Sequence, residues 1–328
     1  MLDNEEINYD NIKIDHEPKI VYMGTPEFSA TVLEGLLTKY RVRAVVTQPD
    51  KEVGRNREIR KSPVKEVAET NTILVLQPER IKNFVEEIRA FEPDIIITCA
   101  YGQMIPKEIL DMPRLGSINV HASLLPRLRG GAPIERSIME GHSKTGITIM
   151  YMDEKMDSGD IIATRELPIL DTDTGSILRE KLAVVGRDLL LEVLPSILDG
   201  TNTRTKQDEA SVTFAPVIKR EDEKIDFSLN KRQVFNKVRA LNNFPGAYAI
   251  YEGKIMKIYS VIETDNTFTG VLNGTITEIY KEGFGVKVGN GEVIVTELQL
   301  EGKKRMSARD FINGNKDIKG KILEWENI

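Results

Sequence analysis

The chain has 328 residues, with 45 Lys and Arg, 51 Asp and Glu, 3 His and 1 Cys, a length that favours two domains. One cysteine excludes an intramolecular disulfide framework and a cysteine-only metal cluster, and three histidines leave little room for zinc. A net charge of −6 argues against coating nucleic acid by bulk charge, while leaving room for a local basic face.

Residues 1–17 hold six acids (Asp3, Glu5, Glu6, Asp10, Asp15, Glu17) against one base, Lys13. Residues 1–18 therefore read as a solvated, disordered acidic tail. This N-terminus lacks the basic start and apolar stretch of a signal peptide. No window holds the ~18 apolar residues of a membrane span. The expected compartment is the cytoplasm, with no membrane partner.

Ile20–Met23 reads as a short buried strand. The turn GTPEF leads into a helical pattern carrying Val32, Leu33, Leu36 and Leu37. Val42–Val46 is a second strand, followed by TQPD and the charged stretch KEVGRNREIRK. SPVKEVAE predicts a helix with Ser62 as N-cap and Pro63 at its first position. Leu74–Leu76 is a strand, Lys82–Phe91 a helical segment, and Asp94–Ala100 and Gly116–His121 are further strands. Short apolar strands alternating with helices predict a parallel α/β sheet, here a domain over 19–200. From Thr201 the chain turns polar, and a linker is expected over 201–222. Residues 223–328 predict a helix at Val234–Leu241 and short strands at Tyr248–Tyr251, Lys254–Val261, Gly274–Tyr280, Gly285–Val288 and Glu292–Leu298. The turn signals Asn273-Gly274 and Asn290-Gly291 fall between strands, the pattern of a small β-barrel or sandwich.

The turn GTPEF holds one glycine, so it is not a dinucleotide fingerprint, and no P-loop occurs. Doubly wound sheets place their sites at the carboxyl ends of strands. There, SINVH projects Asn119 and His121 from one face of a strand. Such a pair is either a hydrogen-bonded core feature or functional. The loop SLLPRLRGGAPIERS follows at once. The segment MDEKMDSGD holds Asp153, Asp157 and Asp160 after a strand-like run at Gly146–Met152. It reads as an acidic turn, a hard-cation site, or the source of a carboxylate that orients and charges an imidazole. His and Asn can both donate to a developing oxyanion. With no Ser or Cys placed as nucleophile, the attacking group comes from the substrate, the layout of acyl transfer to an external amine.

From Lys19 onward the chain resembles the 10-formyltetrahydrofolate-dependent formyltransferases, and among them the methionyl-tRNA formyltransferase family. The likeness rests on VYMGTPEFS, VVTQPDK…GR…SPVKEVA, PDIIITCAYGQMIPKEIL, GSINVHASLLPR, RGGAPIERSI, TGITIMYMDEKMDSGD, IDFSL and GKKRMSARDF. It implies a Rossmann-like, mostly parallel sheet of the formyltransferase type, followed by a smaller OB-like β-barrel that binds tRNA. It implies 10-formyltetrahydrofolate as co-substrate, no metal, initiator methionyl-tRNA as partner, and a monomer. The family's catalytic residues match Asn119, His121 and Asp157. Its folate loop matches Ser123, Leu124, Leu125 and Pro126, and its pterin pocket Tyr101, Gly102, Gln103, Met104, Ile105 and Pro106. The arginine implicated in gripping the tRNA acceptor end corresponds to Arg55, in a basic patch with Arg57, Arg60 and Lys61. One departure is Leu128, where the family commonly has Trp.

Residues 221–328 hold 16 bases and 16 acids, so whole-domain charge gives no support for a nucleic-acid surface. The clusters Lys231-Arg232, Lys237, Arg239 and Lys303-Lys304-Arg305 are either a basic stripe or solvated faces. Cys99 reads as a core residue and Trp325 as a cap on the barrel core. His16 and His142 receive no role. Two other functions fit the same pattern: formylation of an amino sugar or small phosphorylated amine, and folate or tRNA binding without turnover.

Overall fold

The structure, a computed structural model, describes residues 16–53 and 57–325. The expected acidic tail, as far as Asp15, and Arg55 lie outside the described residues. The elements run β1 (Ile20–Gly24), α1 (Glu27–Leu37), β2 (Val42–Val46), β3 (Lys51–Val53), β4 (Glu58–Arg60), α2 (Pro63–Thr70) and β5 (Leu74–Leu76). Next come α3 (Val85–Arg89), β6 (Ile95–Cys99), α4 (Lys107–Leu110), β7 (Ser117–His121), α5 (Pro133–Met139), β8 (Lys144–Tyr151), β9 (Ile161–Pro168) and α6 (Gly175–Leu198). The chain ends with α7 (Arg220–Glu223), α8 (Lys231–Ala240), β10 (Ala247–Tyr251), β11 (Lys254–Glu263), β12 (Ile276–Ile279), β13 (Phe284–Val288), β14 (Gly291–Leu300), β15 (Met306–Ser307) and α9 (Ala308–Gly314).

Two compact units form. Among the described residues, the first comprises those within 16–130, 145–168 and 179–214, the second those within 131–144, 169–178 and 215–325. In the first unit a seven-stranded sheet runs β5-β2-β1-β6-β7-β8-β9. The pairs from β5 through β7 are parallel, and β8 lies antiparallel to β7. Strand order reverses between β1 and β6, which puts a crevice at their carboxyl ends. β1 and β6 are buried along their whole length, so both read as nearly continuous apolar runs, Thr98 being the polar side chain in β6. Ser62 caps α2 by accepting from Lys65 N at 3.1 Å, with Pro63 at the first helical position as expected.

The expected helix over Lys82–Phe91 is split. Ile81–Asn83 forms a 3-10 turn, and Phe84, at φ −119, leaves the helical region before α3 begins. The Ile81 amide, moreover, is claimed by Gln103 Oε1 at 2.8 Å. The long helix α6 and the half-exposed strand β9 carry no clean apolar period and were not expected.

In the second unit an antiparallel sheet runs β10-β11-β14-β13-β12, with β15 on β14. Residues 320–324 join its two edges. Ile276 N bonds Lys321 O at 2.7 Å, and Ile250 and Glu324 exchange main-chain bonds at 2.9 and 2.8 Å. The sheet thus closes on itself and leaves short edges. Phe227, Phe284 and Phe311 fill it, and Trp325 packs against this core. α8 begins at Lys231, earlier than expected, because Asn230 and Gln233 form a capping box. The expected basic stripe there is largely consumed internally. Arg239 is buried and donates to Leu170 O and Asp173 O, and Arg232 pairs with Asp171 and Glu263.

Cys99 is buried in β6, and burial pushes its thiol up to about 12. The native protein at pH 8 should therefore leave a thiol reagent unconsumed and take up one equivalent on unfolding. Rapid labelling of the folded chain would contradict the buried position.

Candidate active site

β7 carries Asn119 and His121 on one face, and the flanking strands supply a threonine opposite each. Thr98 on β6 is the register partner of Asn119, and its hydroxyl donates to Asn119 Oδ1 at 2.9 Å. With its oxygen occupied, the amide turns its NH2 away from Thr98. Among the described residues that nitrogen has no partner, so it is left as a donor.

The His121 ring is 6% exposed. Its Nε2 lies 3.1 Å from the Leu128 carbonyl, and because a carbonyl only accepts, Nε2 must carry the proton. Nδ1 is then the nitrogen left for a reactant. It sits 3.8 Å from Asp157 Oδ2, close enough for charge attraction but too long for a direct hydrogen bond. The same carboxylate oxygen accepts from Gly130 N at 2.8 Å. Asp157 has φ +51, a left-handed conformation that Asp tolerates better than most residues.

Loop 123–130 is pinned from several sides. Thr148 on β8, the register partner of His121, donates to Ser123 O at 2.7 Å and accepts from Leu125 N at 3.1 Å. Ser123 Oγ donates to Arg127 O at 2.7 Å. The Leu125–Pro126 bond is cis. Leu128 has φ +59; its amide donates to Thr213 Oγ1 at 2.9 Å while its carbonyl holds His121. These contacts use the main chain of Leu128, so a Leu in place of the family's common Trp leaves them intact.

The loop after β6 begins with Tyr101, whose carbonyl accepts from Thr25 Oγ1 at 2.9 Å and Gln48 Nε2 at 3.2 Å. The Tyr101 hydroxyl is buried without a partner, and burial pushes its pKa up to about 12. Gln103 serves as a bracket, accepting from Ile81 N and donating to Pro78 O at 3.2 Å. Met104 is exposed and Ile105 buried, and Pro106 stands immediately before α4. Of the three acids expected near here, only Asp157 faces His121. Asp153 bonds the next main-chain amide and Asp160 lies 3.4 Å from Arg204. Among the described residues, no cluster of His, Cys, Asp and Glu could hold a metal ion.

The basic residues divide into free and spent. Arg57 and Arg60 are exposed beside and on the β3–β4 hairpin, with Arg57 3.8 Å from Glu52, while Lys61 pairs with Glu69. The hairpin is rooted where Lys65 Nζ meets Asp50 Oδ2 and Gln77 Oε1, each at 2.7 Å; that hydrogen bond holds the Asp50 carboxyl below its usual range. In the second unit Lys303 and Lys304 are exposed. Arg305 is spent on Glu297 and Asn243, with its guanidinium 4.1 Å from the Tyr259 ring centroid.

Sequence reasoning missed Thr98, Arg129, Gln207 and Thr213. Arg129 was hidden in a loop rich in Arg and Gly, and Gln207 and Thr213 in the polar stretch read as a linker. The glycine of D-x-G-D does have a local reason: a Cβ on Gly159 would lie 2.0 Å from the Tyr151 carbonyl oxygen. Gly159→Ala should therefore displace the Asp157 loop and cost about 1–3 kcal/mol. Chemical denaturation measures the cost, and an unchanged midpoint would refute the close approach.

Comparison with known proteins places this arrangement. Residues 18–194 match the formyl transferase family, and residues 217–316 match the formyl transferase C-terminal domain. A methionyl-tRNA formyltransferase of Geobacillus sp. is 47% identical over 300 residues, covering 90% of this chain and 94% of the relative. That of Bacillus subtilis is 46% identical over 313 residues, covering 94% and 98%. Among solved structures, an N-formyltransferase from Helicobacter canadensis, in complex with folinic acid and dTDP-3-aminofucose, superposes with a TM-score of 0.66. It is 21% identical and covers 85% of this chain and 98% of its own. HypX from Aquifex aeolicus, in complex with tetrahydrofolic acid, gives 0.65 at 19% identity, covering 95% of this chain and 50% of its own. At those identities the structural likeness speaks for the fold, and the close relatives for the family: the chain belongs to the methionyl-tRNA formyltransferases.

Proposed function

We propose that the chain transfers the formyl group of 10-formyltetrahydrofolate to the free α-amino group of methionine esterified to the initiator tRNA, yielding N-formylmethionyl-tRNA for translation initiation in the cytoplasm. The observation that carries this reading is the convergence on one strand face of an amide donor, Asn119 Nδ2, and a ring nitrogen, His121 Nδ1, 3.8 Å from the Asp157 carboxylate. Residues 19–200 are assigned the chemistry and 223–328 the tRNA, acting as a monomer.

In this mechanism the amine nitrogen bonds to the formyl carbon and the carbonyl electron pair moves to oxygen. Asn119 Nδ2–H and His121 Nδ1–H donate to that oxyanion. Asp157 supports the charged ring and helps carry away the proton that the amine nitrogen loses once it has bonded to the formyl carbon. Collapse of the oxyanion breaks the bond to N10 of tetrahydrofolate, and N10 leaves with the electron pair and takes up a proton. The co-substrate is assigned to Ser123–Pro126 and Tyr101–Pro106, where apolar side chains, main-chain groups and the unpartnered Tyr101 hydroxyl suit a flat, polar-edged ring.

Asn119→Ala and His121→Ala should each lower kcat by about 10²–10³ with folding intact. Single-turnover formylation with initiator methionyl-tRNA, elongator methionyl-tRNA and a nucleotide-linked amino sugar tests the acceptor. Transfer to the sugar alone overturns the assignment, as does full turnover by folded variants.

The tRNA contacts are assigned to Arg55, to Arg57 and Arg60 at the β3–β4 hairpin, and to Lys303 and Lys304, with Arg305 beside them held by Glu297 and Asn243. Binding should weaken steeply with salt. Replacing Lys303 and Lys304 together by Ala should flatten the log–log salt slope by about 2. An unchanged slope would remove these lysines from the phosphate contacts.

A further inference from the structure

Gln207 stands in the polar stretch that follows α6. Thr205 makes a bridge with Ile161, and Phe214 makes another with Arg129, so residues 205–214 run past both the Asp157 loop and the loop after β7. Gln207 meets both loops with its side chain. Its Oε1 accepts from Arg129 Nε at 3.0 Å and Arg129 Nη2 at 2.8 Å. Two donors on the oxygen force the NH2 to the other side, where it donates to Asp157 O and Gly159 O, each at 2.8 Å. All four hydrogen-bonding capacities of the amide are filled.

Arg129 is itself held. It is 5% exposed, its amide donates to Thr213 O at 2.9 Å, and Nη2 reaches Glu209 Oε1 at 2.9 Å. The flanking residues are the two that touch the site: the Leu128 carbonyl holds His121, and the Gly130 amide holds the Asp157 carboxylate. Arg129 and Gln207 therefore close a ring of contacts that runs from His121 through Leu128 and Arg129 to Gln207 and Asp157. Only the 3.8 Å gap between ring and carboxylate is left without a direct bond.

We infer that Gln207, oriented by Arg129, is a positioning residue for formyl transfer: it holds the main chain of residues 157–159 so that the Asp157 carboxylate faces His121. This inference rests on the formyl-transfer reading above. An amide fits where an acid cannot. Glu at 207 keeps the pair with Arg129 but turns an oxygen toward two carbonyl oxygens, which releases the Asp157 loop.

The test is Gln207→Glu, with Gln207→Ala as the variant that removes the donor without adding charge, and Glu278→Gln, at an exposed ion pair with Lys319 in the second unit, as a control. Steady-state formylation should show kcat lowered about 10- to 100-fold in both Gln207 variants, the scale of misplacing a reacting group by about an ångström. KM for tRNA should stay within about twofold, a split that generalised loosening of the fold would not produce. The second readout is the imidazole 15N spectrum, simple because the chain has 3 His. The His121 ring signals should move in the Gln207 variants, while those of His16, His142 and the control protein stay in place. Wild-type kcat and unmoved His121 signals overturn the inference, as does an equal rise in KM with kcat unchanged. If the wild-type protein fails to formylate methionyl-tRNA, the functional reading falls, and the ring spectrum still decides whether Gln207 sets the environment of His121.

Discussion

The hydrogen bond from His121 Nε2 to the Leu128 carbonyl is the constraint around which the site is built. It commits one ring nitrogen to the main chain and so decides which nitrogen meets a substrate. It also demands that Leu128 adopt a left-handed backbone, since only a sharp reversal of the chain after Pro126 brings that carbonyl back to the strand. The reversal is expensive locally. Its neighbours supply the compensation: Thr213 satisfies the Leu128 amide, Arg129 pairs with Gln207 and Glu209, and Gly130 donates to the Asp157 carboxylate.

A second regularity lies in the strands. Buried polar side chains are costly unless satisfied. Here the satisfaction comes sideways, from threonines on the neighbouring strands. Thr98 fixes the amide of Asn119, and Thr148 fixes the main chain at Ser123 and Leu125. Threonine suits both needs, because its branched β-carbon favours a pleated strand and its hydroxyl reaches one register position across. The strand pairing of β7 with a parallel neighbour on one side and an antiparallel one on the other thus doubles as the scaffold of the site.

Much of this was legible in the sequence because it follows from local chemistry. The strand Leu74–Leu76 is wholly apolar, Val42–Val46 is apolar but for Arg43, and Ser62-Pro63 is a complete helix-start signal. Asn119 and His121 stood out because period two puts them on one face of an otherwise apolar strand. Arg129, Gln207 and Thr213 were illegible for a different reason. Their roles depend on contacts between residues roughly 80 positions apart, and no local pattern encodes such contacts. Gln207 sits among TRTKQDEAS, whose polarity matches that of a solvated connector. Lys82–Phe91 is not one helix because the chain leaves the helical region at Phe84, between a 3-10 turn and α3, a break that no residue type in the segment announces.

The closure of the β-barrel by residues 320–324 has a consequence for the order in which the chain becomes stable during synthesis. α5 buries Ile134 and Ile138 and belongs to the unit completed by those late residues. At about 5–20 residues per second, tens of seconds separate its appearance from the making of the closing strand. For about the first half of that interval the helix that α5 packs against, α8, does not yet exist. The nascent chain is thus most exposed to mispairing in the middle of its translation, and truncation ahead of Gly320 would leave both edges of the sheet open.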